Sequence, residues 1–239
     1  MKYQENFRRY ELKYLLSPGQ KTAVLKGMKG CMALDDYGRS TICNIYYDTP
    51  DKLLIRRSLE KPVYKEKLRV RSYGTATLDS TVYVELKKKY KSVVYKRRVS
   101  ATTKEALDYM ERGIPLRKRC QIAEELDYTC SLYGTLEPAV YLSYEREAYY
   151  GLEDSGLRIT FDENILWRDT DISLCKPAYG RRIIDRDRTL MEIKISDAMP
   201  LWLAKLLSEY GVFQTSFSKY GTAYEQMLAD EQACSRSVS

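Results

Sequence analysis

Alternation of apolar and polar residues dominates the chain. In "RRYELKYLLS" (residues 8–17) it puts Glu11 and Lys13 on one face of a predicted strand, between apolar neighbours. The same Glu-x-Lys arrangement returns as Glu85 and Lys87 in "VYVELKKKY" and as Glu192 and Lys194 in "LMEIKIS". Further strands are predicted at "RSTICNIYYDT", "YKEKLRVRSYG", "KSVVYKRRVS", "PAVYLSYEREAYYG", "SGLRITFDENI" and "ILWRD". Helical stretches interrupt them. "SPGQKTAVLKGMKG" opens with Ser17 as N-cap and Pro18 at the first helical position, and "TPDKLLIRRSL" repeats the device with Thr49 and Pro50. "TTKEALDYMERG", "RKRCQIAEELDYTCSLYG", "MPLWLAKLLSEYG" and "SKYGTAYEQMLAD" are the other helices. About eight strands with turn-like connections suit antiparallel neighbours, and a closed barrel would remove their unpaired edges. The expectation is therefore an α+β protein: an eight-stranded antiparallel barrel with a charged interior, covered by helices. With no linker or repeat in view, residues 1–230 are read as one domain and 231–239 as a frayed tail.

Residues two apart on a strand share a face and lie ~7 Å apart. Arg69 and Arg71 therefore oppose Leu68 and Val70. Tyr83, Glu85 and Lys87 oppose Val82, Val84 and Leu86, and Lys96 shares a face with Arg98. Arg158, Thr160 and Asp162 oppose Leu157, Ile159 and Phe161, and Glu192 and Lys194 oppose Met191, Ile193 and Ile195. In any single strand, charges merely facing water would produce this pattern. As a set, the paired cations, and helices enough to cover the apolar faces, favour the inverse arrangement: apolar outside, charged inside. Such an interior needs water or a highly charged guest, because a desolvated ion costs several kcal/mol.

Composition narrows the chemistry. The chain has 239 residues, a formal charge of +7 and no histidine. Imidazole is thereby excluded as base or metal ligand. The six scattered cysteines form no C-x-x-C pair, which argues against zinc and for free thiols in a reducing compartment. A metal would have to be held by oxygen, which favours Mg2+ or Mn2+. With neither a signal peptide nor a ~20-residue apolar run, a soluble cytoplasmic protein is expected. Arginine forks and lysine point charges suit phosphate oxygens, while carboxylates among them suit a bridging divalent cation.

The ordered motifs "RYELKYLL", "KLRVRSYG", "VYVELKKK", "YKRRVS", "YEREAYYG", "LRITFDENI", "MEIKI" and "SFSKYG" resemble the polyphosphate polymerase (VTC, vacuolar transporter chaperone) domain family, a branch of the triphosphate tunnel metalloenzymes, over roughly residues 5–228. The resemblance implies an eight-stranded tunnel and a metal-dependent transfer of the terminal phosphate of ATP onto a polyphosphate chain. It assigns Lys13, Arg69, Arg71, Lys87, Lys96, Arg146 and Arg158 to the phosphate-handling catalytic set. Ser218 and Lys219 match a phosphate-binding pair at the start of the last helix, with Lys194 as a further phosphate ligand. Glu192 matches the metal-binding glutamate, with Glu11 or Glu85 as helpers through water. The chain departs from the wider superfamily in carrying Arg9 at the first glutamate of an E-x-E-x-K opening, and Ser216 where a lysine would tighten the phosphate grip. Eukaryotic polymerase subunits also carry a phosphate-sensing domain and membrane helices, which are not expected here, so transport across a membrane would need a membrane-protein partner.

Phosphoryl transfer asks for positioning and charge neutralisation rather than covalent help, consistent with a site lacking histidine. Expected partners are ATP and polyphosphate or another triphosphate. Transfer to water would make the protein a hydrolase, and binding without turnover a polyphosphate-binding module. Nucleic acid is disfavoured, because no recognition helix or stacking motif stands out and carboxylates share the charged face. Glu11, Glu85 and Lys194 also read as simple cross-strand ion pairs.

Overall fold

The structure, a computed structural model, describes residues 10–91, 93–196 and 198–237; Arg9, one of the sequence departures, lies outside them. The elements run β1 (Tyr10–Leu16), α1 (Pro18–Gly27), β2 (Met32–Asp48), α2 (Leu53–Leu59), β3 (Tyr64–Tyr73), β4 (Thr81–Tyr90), β5 (Val93–Thr102), α3 (Thr103–Arg112), α4 (Gln121–Tyr133), β6 (Glu137–Gly151), β7 (Arg158–Arg168), β8 (Arg181–Arg182), β9 (Thr189–Ile195), α5 (Leu201–Glu209), β10 (Gln214–Thr215) and α6 (Lys219–Ser237). One antiparallel sheet has the order β10-β1-β9-β7-β6-β2-β3-β4-β5, with β8 paired to β7.

Eight of these strands are the predicted ones in substance; β8 and β10 are two-residue additions, so the described strands number ten. The predicted closure does not occur: among the described residues no ladder joins β1 to β5. The sheet nevertheless curls far enough for Lys87 on β4 to reach Glu11 on β1 at 2.5 Å.

The faces segregate as the alternation predicts. The convex face of β2–β5 supplies Ile45, Leu68, Val70, Val84 and Leu86 to a core roofed by Ala106 and Tyr109 of α3 and Ala123 and Leu126 of α4. The convex face of β1, β7 and β9 packs Leu16, Ile159, Phe161 and Ile193 under α1 and α5. A third cluster has no counterpart in the sequence reading. Tyr46, Leu142, Tyr144 and Leu190, on the concave face, meet Ile55 of α2 and Tyr220 and Ala223 of α6. The concave face is therefore charged over one part and apolar where these two helices plug it.

Local signals explain most boundaries. Ser17 caps α1 in a reciprocal capping box with Gln20. The helix after Thr49 starts later than predicted, at Leu53. The buried Asp48 carboxylate accepts from the Leu54 and Ile55 amides at 2.8 and 3.0 Å, and Thr49 Oγ1 accepts from the Leu53 amide. α6 continues to Ser237, into the stretch read from sequence as a frayed tail. Gly180 (φ +141°) lets the chain pass β7 so closely that a Cβ would lie 2.3 Å from the Trp167 carbonyl oxygen.

Candidate functional site: a cationic basin on the concave face

Strand register brings many of the predicted residues together. β3 and β4 align Lys67 with Lys87, Arg69 with Glu85 and Arg71 with Tyr83. β4 and β5 align Lys87 with Lys96 and Glu85 with Arg98. Across the sheet, Lys13 opposes Glu192, Glu192 opposes Thr160, and Arg146 opposes Asp162.

Two hubs organise the charges. Glu85, 1% exposed, holds Arg69 at 2.7 Å and Lys96 at 2.7 Å, with Arg71 and Arg98 at 3.9 and 3.8 Å. Burial would raise its pKa, but Arg69, Arg71 and Lys96 overcome that and hold the carboxyl far below the usual range. Asp162, fully buried, takes a two-pronged contact from Arg146 at 2.6 and 2.7 Å and a third from Lys219 at 2.5 Å. Between the hubs stands Tyr144. Its hydroxyl accepts from Arg71 at 3.1 Å, and its ring lies under Arg146 and Lys219. Burial pushes this phenol up, yet Arg71, Arg146 and Lys219 bring it down to about 8.

The lysines are crowded and partly dehydrated. Lys13 donates to the Phe217 carbonyl at 2.6 Å; burial, against the pull of Glu192, lowers it to about 8. Burial lowers Lys96 to about 8 despite Glu85, and lowers Lys194 despite Glu192. Lys67 donates to Ser218 Oγ at 2.7 Å; burial, aided by Lys13 and Lys87, drives it well below the ordinary lysine value. Ammonium groups in this condition gain most from an anion that supplies the missing counter-charge.

Most of the sequence-predicted set thus converges: Lys13, Arg69, Arg71, Lys87, Lys96, Arg146, Lys194, Ser218 and Lys219 border one basin. Arg158 does not join its centre. It stands at the rim, 42% exposed, beside Lys194 in register and 3.3 Å from Asp35. Ser218 acts as an N-cap, accepting from the Gly221 amide at 3.1 Å. Lys67 and Asp162 were missed as site residues, although both were legible: Lys67 sits two residues before Arg69, and Asp162 shares the face already given to Arg158.

The three candidate metal carboxylates separate. Glu11 is engaged by Lys87 and Glu85 by its arginines and lysine, so neither joins Glu192, and among the described residues no group of three acidic or thiol side chains is placed to hold a metal. Glu192 differs. Its contacts to Lys194 and Arg146 are 3.8 and 3.9 Å, longer than hydrogen bonds. Burial would raise it, but Lys194, Lys13 and Arg146 keep it ionised. This donor set fits a metal held by one carboxylate, with phosphate oxygens and water completing the shell.

A curled antiparallel sheet with apolar convex faces under helices, around a concave wall of arginine and lysine, defines the triphosphate-tunnel class of fold. The VTC domain model matches residues 8–228, and the chain belongs to that family. In three dimensions it is similar to a candidate adenylyl cyclase from Hippeastrum whose dominant activity is described as that of a triphosphatase (17% identity, TM-score 0.57, 91% of this chain and 96% of that one). It is also similar to a candidate adenylate cyclase from Bacillus halodurans (13% identity, TM-score 0.55, 88% and 95%). At these identities the likeness is one of fold. No curated protein matches by sequence, and no helix among the described residues is long and apolar enough to cross a membrane.

Proposed function

We propose that the protein transfers phosphoryl groups in this basin and that its product is polyphosphate, extended with the terminal phosphate of ATP. The observation that carries the reading is the crowding of Lys13, Lys67, Arg69, Arg71, Lys87, Arg146 and Lys219 around few carboxylates. A linear run of phosphates neutralises such a wall in a way that one monovalent anion cannot. In the reaction the bond between the β,γ-bridging oxygen and the γ-phosphorus breaks. A terminal oxygen of the chain forms the new bond to that phosphorus, and ADP leaves. Arg69, Arg71 and Arg146 bind and orient phosphate oxygens, already aimed by Glu85, Asn44 and Asp162. Lys13, Lys67, Lys87, Lys96, Lys194 and Lys219 spread over the remaining charge. Glu192 would hold Mn2+ or Mg2+, which supplies neutralisation of phosphate charge when bound. Arg158, at the rim, meets the substrate on entry. One observation favours hydrolysis as the second reading: among the described residues no ladder closes the sheet between its end strands β10 and β5, which would give water a route to the site.

Product analysis after incubation with ATP and Mn2+ decides. Long polymer is expected from the wild type, with Glu192→Gln losing turnover more than triphosphate binding. Orthophosphate as the sole product would make the protein a hydrolase. Tight salt-sensitive binding without turnover would make it a binding module.

A further inference from the structure

The cation wall does not end at the basin. Beyond Lys67 and Lys87 the same face of β3 and β4 carries Lys65 directly opposite Lys89, so two successive cross-strand pairs are lysine against lysine. Directly opposed like charges destabilise a sheet, with Cβ atoms roughly 5 Å apart. The other face of the same strands shows the ordinary solution: Glu66 lies opposite Lys88, and their charged groups meet at 3.8 Å. Glu66 also accepts from the Tyr133 hydroxyl at 2.7 Å. On the concave side Glu11 compensates Lys87 at 2.5 Å, and the outer pair has no such partner. Lys65 donates to a neutral group, the Ser58 carbonyl at 3.1 Å. Among the described residues no carboxylate pairs with Lys65 or Lys89. Burial, then Lys89, Lys61 and Lys87, lower the Lys65 ammonium, and no acid is among those influences. Lys61, exposed after α2, extends the row outward.

We propose that Lys65 and Lys89, with Lys61 at the outer end, form a track that holds the part of a polyphosphate chain lying outside the basin. The inference rests on the reading of the basin as a polyphosphate site, and extends it from the reacting phosphates to chain length. A chain continuous with the basin places its phosphates opposite the outer pair, Lys65 and Lys89, and removes the repulsion that the fold leaves uncompensated there. A triphosphate confined to the basin does not reach them. The track is therefore a device for discriminating long chains from short ones, and for retaining the polymer between additions.

The test compares binding of long-chain polyphosphate and of tripolyphosphate, by titration calorimetry at several salt concentrations. The wild type is set against Lys65→Ala/Lys89→Ala, Lys65→Arg/Lys89→Arg and Lys88→Ala. The double alanine variant should bind the long chain on the order of tenfold more weakly, with a log–log salt slope smaller by about 1.4, or ~0.7 per lost phosphate contact. Its tripolyphosphate affinity should stay within about twofold, inside the ordinary scatter of surface substitutions. The arginine pair should keep long-chain affinity, and Lys88→Ala, which removes the same charge from the other face, should not reproduce the loss. Lys89→Glu alone provides the same reading should the double variant fold poorly. Unchanged long-chain affinity and salt slope, or a loss equal for both ligands, overturns the track while the basin stands. A wild type that binds neither ligand overturns both.

Discussion

At the scale of single residues, the site is a balance between dehydration and charge. Arg71 is 6% exposed and is held by Asn44 Oδ1 and the Tyr144 hydroxyl, so its guanidinium is oriented before any ligand arrives. A charge-assisted hydrogen bond contributes about 1.5–3 kcal/mol. Arg71→Ala should therefore weaken tripolyphosphate binding roughly tenfold to a hundredfold, and Arg71→Lys should recover only part of it, because an ammonium lacks the fork. Titration calorimetry reads both. The pH dependence follows from Lys13 and Lys96, each lowered to about 8 chiefly by burial, and from Tyr144, brought to about 8 by its cations. Below that pH both amines are charged and the phenol is neutral. As pH rises through about 8 the amines lose their protons and the phenol becomes anionic, so polyphosphate affinity should fall. Near pH 8 binding should draw protons in, measurable as a dependence of binding heat on buffer ionisation enthalpy. For stability the lysines act in the opposite sense. Between about 8 and the ordinary lysine range the unfolded chain holds more protons than the native one, so their contribution to stability rises with pH. A binding curve flat from pH 7 to 9 would contradict the assignment.

At the scale of elements, strands were more legible than their ends. The alternation in β3, β4, β7 and β9 placed each charged residue on its correct face, because period 2 leaves no other choice once one face is buried. The capping box at Ser17 marked the start of α1 for a local reason, a side chain bonding an amide three residues on. The start of α2 was misread because Asp48, six and seven residues before the amides it accepts from, does the capping. Ser17→Ala should cost about 1 kcal/mol of stability without altering phosphate affinity, since Ser17 touches none of the basin residues. Denaturant melts and calorimetry check the two halves of that statement separately. The third hydrophobic cluster also belongs to this scale. Tyr46 stacks on Tyr220 with ring centroids 5.0 Å apart, yet its hydroxyl accepts from Arg69 at 2.8 Å. One side chain thus marks the boundary between the plugged and the charged parts of the concave face.

At the scale of the whole molecule, a wall of unpaired or shared cations should leave the free protein short of its full stability. A ligand present at a hundred times its dissociation constant adds about 2.7 kcal/mol. At about 2–4 °C per kcal/mol for a chain of this size, tripolyphosphate should raise the melting temperature by roughly 5–10 °C. Sodium chloride at matched ionic strength should not; an equal shift from the salt would show that screening, rather than a site, is responsible. The sequence by itself determined the strand faces and the inward charge, because those follow from periodicity and side-chain chemistry within a few positions, while the basin residues were named by their match to the family's ordered motifs. Tertiary structure alone decided three things. The sheet stays open: among the described residues no ladder joins its end strands, β10 and β5. Glu11 and Glu85 are occupied by lysine and arginine and leave Glu192 as the metal candidate. Lys67 meets the start of α6 and Lys87 meets β1, because curvature brings together residues 151 and 76 positions apart. Contacts of that kind depend on how far a sheet bends and where a helix lands on it, and neither quantity is written in the period of any one strand.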